Sequence, residues 1–258
     1  MIKLIISLII LIFITACDSR EQTFNTLRVA HAGGGINGKT YTNSYDALDL
    51  NITKGYKYFE IDFSFTSDGR LVCMHDWEHS FERSFGFKAK ARPSFQEFQS
   101  FVRNNAEFRK CTLDGLADWM QRNPDSVLVT DVKEYNLKAL RIIASKIPDA
   151  EKRVIPQVYQ PYNYKAVRSM GFESIIWTLY RYRGSNKDVL EWVDSFQGAF
   201  AITMPKKLAI TRLPAQLASK NIPTYVHTIN DMEKMNRFVN HYSVTEIYTD
   251  FLQPAPEK

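Results

Sequence analysis

The stretch Tyr58-Phe59-Glu60-Ile61-Asp62-Phe63 is a run of aromatic and β-branched residues that carries two carboxylates. Its composition predicts a β-strand. Comparable runs recur along the chain, and helical stretches lie between most of them. The predicted strands cover residues 27–31, 58–63, 127–132, 154–158, 174–179, 200–204, 224–228 and 246–248.

The alternation of strands and helices favours an α/β fold with a parallel sheet and right-handed crossovers. Eight such units in about 240 residues are typical of a closed (β/α)8 TIM barrel. An open doubly wound sheet is the alternative. No Gly-x-Gly-x-x-Gly turn follows the first predicted strand, so a dinucleotide site has little support.

The second unit is longer than the others and predicts an insertion at about residues 77–125. Within it, Ser94 and Glu97 form a capping box that begins a helix. Phe95, Phe98 and Phe101 follow at near-helical spacing. Two interpretations of this stripe stay open, packing against the barrel, or a substrate lid or membrane-facing rim.

Residues 1–16 have the positive start and short apolar core of a secretory signal, too short to span a bilayer comfortably. The sequence Ile-Thr-Ala-Cys ending at Cys17 resembles the lipobox of bacterial lipoproteins. That resemblance implies cleavage before Cys17, its lipidation, and anchoring in the cell envelope on the periplasmic side. Asp18 favours the inner membrane, and residues 17–26 form a tether to the barrel at 27–258. An ordinary signal with a free Cys17, or an uncleaved anchor, is the alternative.

The composition is that of an ordinary globular protein of 258 residues. Lys and Arg number 33 against 28 Asp and Glu, and the resulting charge of +5 is spread along the chain. A nucleic-acid partner is therefore not expected, whereas phosphate substrates or anionic membrane surfaces stay open. Cys73 and Cys111 show no zinc-type spacing, and the sequence leaves open whether they pair.

Acidic side chains lie where predicted strands end, which is the face of a TIM barrel that carries active sites. Glu60 and Asp62 are two residues apart and share one face of a strand, as do Asp131 and Lys133. Three convergent carboxylates without a thiolate suit Ca²⁺ or Mg²⁺ rather than Zn²⁺. Lys133 would add positive charge where a phosphate develops negative charge.

His31 ends the first predicted strand and His75 ends a short extended run, and imidazoles carry protons near neutral pH. Phosphodiester cleavage needs a base for a hydroxyl proton and an acid for the leaving alkoxide. Two histidines beside an acidic metal site meet that requirement. A lone strand histidine is more often structural, but the acidic cluster favours catalysis here.

The motifs His31-Ala-Gly, Asn43-Ser-Tyr-Asp-Ala-Leu, Phe59-Glu-Ile-Asp, Thr66-Ser-Asp-Gly-Arg-Leu-Val and His75-Asp resemble in order and spacing the signature of the glycerophosphodiester phosphodiesterase family. Val127-Leu-Val-Thr-Asp-Val-Lys, Gln157, Thr228-Ile-Asn and Tyr248-Thr-Asp are similar to its later strand-end motifs. The resemblance spans roughly residues 27–254 and implies a TIM barrel and one divalent metal.

The resemblance also implies residue roles. His31 would be the general base, His75 the general acid and Lys133 a phosphate contact, with Glu60, Asp62 and Asp131 binding the metal. The expected enzyme, similar to EC 3.1.4.46, hydrolyses glycerophosphodiesters to an alcohol and glycerol 3-phosphate. A phospholipase acting on intact lipid or another polyol phosphodiester is the alternative, and a non-catalytic binding lipoprotein is a third.

Three departures from the family pattern concern charged or polar site residues. Ala32 replaces an arginine, Thr42 a glutamate, and Asp131 stands where the family has the longer glutamate. Backbone N–H groups near Gly33 are one substitute for the lost arginine as phosphate donors; a merely flexible loop is the other interpretation. The remaining candidate substrate contacts are Gln157, Trp177 and His227.

Overall fold

The computed structural model describes Phe24 and residues 28–254. The predicted signal, the predicted lipidation site Cys17 and all of the predicted tether except Phe24 lie outside the described residues, as does Leu27. Within the described part, no helix is both long and apolar enough to cross a membrane.

Eight parallel strands close into a barrel, which confirms the predicted TIM-barrel fold. The first strand pairs with both the second and the last, with Val29 opposite Tyr58 on one side and Tyr248 on the other. The parallel strands are β1 (Val29–Ala30), β2 (Tyr58–Phe65), β4 (Val127–Asp131), β5 (Val154–Val158), β6 (Ser174–Thr178), β7 (Ala199–Pro205), β8 (Thr224–His227) and β9 (Glu246–Thr249). A short strand, β3 (Leu71–Cys73), pairs antiparallel with the far end of β2.

Helices follow the strands around the outside of the barrel. Those between parallel strands are α1 (Tyr45–Thr53), α5 (Asn136–Lys146), α6 (Ala150–Arg153), α7 (Tyr164–Arg168), α8 (Asn186–Asp194), α9 (Lys206–Ala209), α10 (Leu213–Ala218) and α11 (Met232–Tyr242). The insertion after β2 and β3 contains α2 (His79–Phe85), α3 (Phe95–Asn105) and α4 (Leu113–Arg122).

The barrel interior is a packed apolar layer beneath a polar upper end. Alternate residues of the strands form this layer, including Val129, Ile155, Ile176, Tyr225 and Tyr248. The intervening residues face outward and join the larger core between the strands and the helices. Because interior side chains fill the lower barrel, a ligand has access only near the carboxyl ends of the strands.

The phenylalanine stripe of the insertion packs within its own small core. Phe98 is fully buried against Phe81 and Phe85 of α2, and Val72 of β3 belongs to the same cluster. The predicted capping box between Ser94 and Glu97 is present. The stripe therefore packs on α2 and β3. The buried position of Phe98 does not support the interpretation of the stripe as a lid.

A disulfide joins Cys73 at the end of β3 to Cys111 before α4, across 38 residues of sequence. Both cysteines are fully buried. The Cys73 N–H also donates a hydrogen bond to the Cys111 carbonyl at 2.9 Å. The disulfide thus links β3, which leads to His75, covalently to the insertion.

Candidate active site

A cavity of about 280 Å³ opens at the carboxyl ends of the strands. Most of the catalytic and metal-binding residues that the sequence predicted line this cavity. The acidic, basic and imidazole side chains there include His31, Glu60, Asp62, His75, Asp131 and Lys133. The structure thus brings together both predicted proton carriers, all three predicted metal ligands and the predicted phosphate contact.

The carboxylates converge because of strand register. Asp62 of β2 lies directly opposite Asp131 of β4, and Glu60 lies two residues earlier on the same face of β2. One oxygen from each of the three carboxylates lies within 4.8 Å of the others. Burial, together with the charge of Asp62, raises the pKa of Glu60 well above its usual value. In the absence of a cation, the site therefore favours a proton on Glu60 over a third negative charge.

Asp62 is fixed by two neighbours. The Asn43 amide donates to Asp62 Oδ2 at 2.9 Å, and the Asp62 N–H donates back to Asn43 Oδ1 at 3.0 Å. Lys133 Nζ donates to Asp62 Oδ1 at 2.9 Å and to Asp131 Oδ2 at 2.8 Å. Burial alone would lower the pKa of Lys133, but the two carboxylates raise it, so the ammonium stays charged.

The donor set fits a divalent cation. Three buried carboxylates in mutual reach are the hard oxygen ligands that Ca²⁺ and Mg²⁺ prefer. Repulsion between Glu60 and Asp62 would be relieved by such a charge. Asp131, although one methylene shorter than glutamate, still reaches the cluster because its Cα is in register with Asp62.

His31 is oriented by a carboxylate from the last strand's end. Its Nδ1 lies 2.9 Å from Asp250 Oδ1, so Nδ1–H donates to the carboxylate and Nε2 is left as the second proton-carrying atom. Burial would lower the pKa of His31, but the Asp250 hydrogen bond and the charges of Glu60, Asp250 and Asp62 raise it to about 9. Asn230 in turn donates to Asp250 Oδ2 at 2.7 Å.

His75 is oriented in a similar way. Its Nδ1 lies 2.7 Å from Asp76 Oδ2, and its Nε2 lies 4.0 Å from Asp62 Oδ1. Burial alone would raise the pKa of Asp76, but hydrogen bonds from Ser80 and His75 lower it. Each imidazole thus has a carboxylate behind it and a second nitrogen free for chemistry.

Tyr41 contacts both imidazoles and was not predicted as a site residue. Its ring meets the His31 ring edge-on, with centroids 4.4 Å apart, and the His75 ring at 5.4 Å. Burial raises its pKa to about 12, so the phenol stays protonated. Tyr41 has a left-handed φ of 56°, and the irregular loop around it carries no periodic pattern that predicts its position.

Four of the five predicted substrate contacts divide into three groups. Lys133 and His227 line the cavity. Gln157 is buried on β5, and its Oε1 has no hydrogen-bond partner among the described residues. Gly33 does not line the cavity; its carbonyl accepts a hydrogen bond from Asn51 of α1 at 3.1 Å.

The prediction that Trp177 contacts substrate is not supported by its position. Trp177 is fully buried and packs edge-on against Tyr182 and Phe196, outside the barrel. Its neighbour Thr178 points to the cavity instead. Successive strand residues face opposite sides, and this strand is buried on both, so its composition did not reveal which residue faces inward.

Three further cavity residues come from strand ends. Tyr159 donates a hydrogen bond from its hydroxyl to Asp131. Tyr180 packs on His227 with ring centroids 4.4 Å apart. Arg181 lies over the Tyr159 ring and donates to the Lys133 carbonyl at 3.0 Å. Arg181 brings a guanidinium to the cavity, although Ala32 stands where the family resemblance has an arginine.

Residues 34–158 match the model of the Glycerophosphoryl diester phosphodiesterase family. No curated protein matches the chain significantly. Among solved structures, a glycerophosphoryl diester phosphodiesterase from Parabacteroides distasonis is 18% identical with a TM-score of 0.69, and the alignment covers 89% of this chain and 84% of that one.

Two other solved structures have the same fold. A glycerophosphodiester phosphodiesterase from Thermotoga maritima is 19% identical, with a TM-score of 0.64 and coverage of 88% of this chain and 94% of that one. A phosphodiesterase from Oleispira antarctica, solved with the product sn-glycerol-3-phosphate, is 15% identical, with a TM-score of 0.67 and the same coverage of 88% and 94%.

Proposed function

We propose that this chain, whose residues 34–158 match the glycerophosphoryl diester phosphodiesterase family, hydrolyses glycerophosphodiesters with the help of a divalent cation. It is an enzyme of the phosphoric diester hydrolase class. The observation that carries the proposal is one cavity in which three buried carboxylates meet two imidazoles, each oriented by its own carboxylate.

The net reaction adds one water across a P–O ester bond and yields an alcohol and glycerol 3-phosphate. The product bound to the Oleispira antarctica enzyme of the same fold supports this assignment of the substrate class. The cavity of about 280 Å³ is large enough for a small polar phosphodiester.

Glu60, Asp62 and Asp131 would hold a single Ca²⁺ or Mg²⁺. Such a cation polarises a phosphoryl oxygen and offsets charge that develops on the phosphate. Lys133, already bound to Asp62 and Asp131, adds a second positive charge beside the phosphate.

His31 and His75 would divide the proton transfers. A cation held by Glu60 and Asp62 would offset the negative charge that raises the pKa of His31, so the imidazole would be neutral before reaction. In the route that the family resemblance implies, the substrate's neighbouring hydroxyl attacks phosphorus while His31 Nε2 takes its proton. His75 Nε2 gives a proton to the departing alkoxide, and a cyclic phosphate forms. Water then opens the ring with the two imidazoles in exchanged roles, so the enzyme returns to its starting protonation state.

The location of the protein is proposed from its sequence and its disulfide. A signal at residues 1–16 and a lipidated Cys17 would tether the barrel to the periplasmic side of the cell envelope, with Asp18 favouring the inner membrane. The buried Cys73–Cys111 bond suits an oxidising compartment.

A panel of glycerophosphodiesters scored for released glycerol 3-phosphate, with Ca²⁺, Mg²⁺ or chelator present, tests the proposal. We expect metal-dependent release, and a loss of roughly 10²–10⁴-fold in His31→Ala or His75→Ala. His241→Ala, on the exposed side of α11, is the matched control and should retain activity. Turnover that ignores both chelation and the two cavity substitutions would contradict the proposal.

A further inference from the structure

A second cavity, of about 230 Å³, adjoins the candidate active site. Among the described residues, Tyr41 alone lines both cavities. The second cavity lies between the loop at residues 38–42, the α2 helix and residues 107–110. Neither the proton transfers nor the cation site uses this space.

The second cavity carries an excess of positive charge. Its lining includes Lys39, Arg83 and Lys110, against Glu107 as the one acidic residue. None of these four side chains forms a salt bridge within the described part of the chain. The positive charges are therefore available to a ligand.

Lys110 is the most unusual of these groups because it is only 6% exposed. Its Nζ donates to the Thr42 carbonyl, and among the described residues no carboxylate lies within ion-pair distance of it. Burial and the charge of Arg83 lower the pKa of Lys110 to about 7. An anion beside a buried lysine stabilises the charged form of the lysine and so raises its pKa.

Arg83 lies on the same wall and is also without a carboxylate partner among residues 28–254. It donates to Ser80 Oγ at 3.3 Å, and its guanidinium lies 5.2 Å from the centroid of the Tyr41 ring. Arg83 and Lys110 are two cations that repel each other in one concave site. The acidic cluster lies in the other cavity that Tyr41 lines. Guanidinium and ammonium groups together are a common set for phosphate or carboxylate.

We propose that this second cavity binds an anionic group, a phosphate or carboxylate, on the leaving portion of the substrate. This inference rests on the proposed phosphodiesterase function, since a diester held between His31 and His75 would extend its leaving group past Tyr41. It narrows the substrate class to glycerophosphodiesters whose alcohol carries a second negative charge.

A matched pair of substrates tests the inference. Glycerophosphoglycerol has a neutral leaving alcohol, whereas bis(glycerophospho)glycerol has the same alcohol extended by a second phosphodiester. We expect wild-type kcat/KM to favour the second substrate, and Arg83→Gln and Lys110→Met each to reduce that preference about tenfold. Arg103→Gln, an exposed arginine of α3 outside the cavity, is the control and should keep the preference.

Arg83→Gln changes an exposed side chain, so it remains informative even where Lys110→Met fails to fold. Equal preference in wild type and Arg83→Gln would overturn the inference. Inorganic phosphate that binds wild type more tightly than Arg83→Gln in calorimetry, with no change in substrate preference, would assign the cavity to free anions and also overturn it. Absence of turnover for both substrates would instead refute the phosphodiesterase function, while calorimetry with bis(glycerophospho)glycerol would still report on the cavity.

Discussion

His31 Nδ1 lies 2.9 Å from Asp250 Oδ1, so a residue after the last barrel strand orients the imidazole that follows the first. The contact exists because β1 and β9 are hydrogen-bonded neighbours at the point where the barrel closes. The carboxylate selects the tautomer with a proton on Nδ1, which leaves Nε2 for the reaction.

Asp250→Asn should reduce kcat by roughly 10²-fold or more, since the amide can no longer enforce that tautomer or stabilise the imidazolium. Steady-state kinetics over a pH series checks this expectation. Asp231→Ala, which removes the exposed N-cap side chain of α11, is the control for a structural effect. Equal losses in the two variants would mean that Asp250 acts only through stability.

Glu60→Gln should change stability in opposite directions with and without metal. Without metal, burial and the charge of Asp62 keep Glu60 protonated at pH 7, and the neutral glutamine removes that cost, so we expect the free energy of unfolding to rise by roughly 3 kcal/mol. With Ca²⁺ or Mg²⁺ added, wild type should gain stability by mass action and Glu60→Gln should gain much less. Denaturant titrations with chelator or metal measure both effects, and identical metal responses would contradict the assignment of Glu60 as a ligand.

Stability of the metal-free protein should depend on pH through His31. Its pKa is raised from 6.5 to about 9 on folding, so its contribution is complete below pH 6.5 and disappears as pH rises through 9. The loss is about 3 kcal/mol between those limits. Unfolding free energies of wild type and His31→Gln, measured in chelator from pH 6 to 10, should converge at high pH, and a constant difference would contradict the prediction.

The barrel was predictable because its strands are short apolar runs that alternate with helical stretches, and each predicted run contains or overlaps a parallel strand. The acidic cluster was also predictable, since Glu60 and Asp62 must share a strand face. The loop geometry was not, because Tyr41 and Asn43 adopt left-handed conformations that no periodic pattern indicates. The pairing of His31 with Asp250 joins positions 219 residues apart, which only barrel closure determines.

Reduction of the Cys73–Cys111 disulfide should lower the free energy of unfolding by about 4 kcal/mol, the entropy released by opening a loop of 38 residues. Activity should fall as well, because the Cys111 N–H donates to the Asn43 carbonyl at 3.4 Å and Asn43 holds Asp62. Urea unfolding and turnover, each with and without dithiothreitol, measure the two effects. The double substitution Cys73→Ala with Cys111→Ala should make the protein insensitive to the reductant. A response to dithiothreitol in that variant would mean that the reductant acts through something other than this disulfide.

His227→Phe should separate stability from substrate binding. His227 Nε2 is buried without a hydrogen-bond partner among the described residues, and burial with the charges of His31 and Lys133 lowers the pKa of the imidazole to about 3. Replacing it by an apolar ring of similar shape removes an unsatisfied polar atom, so we expect the free energy of unfolding to rise by about 1 kcal/mol. If the neutral imidazole hydrogen-bonds the substrate, as its place in the cavity indicates, KM should increase at the same time. Thermal unfolding and steady-state kinetics on the same preparation give both values, and an unchanged KM would leave His227 as a structural residue.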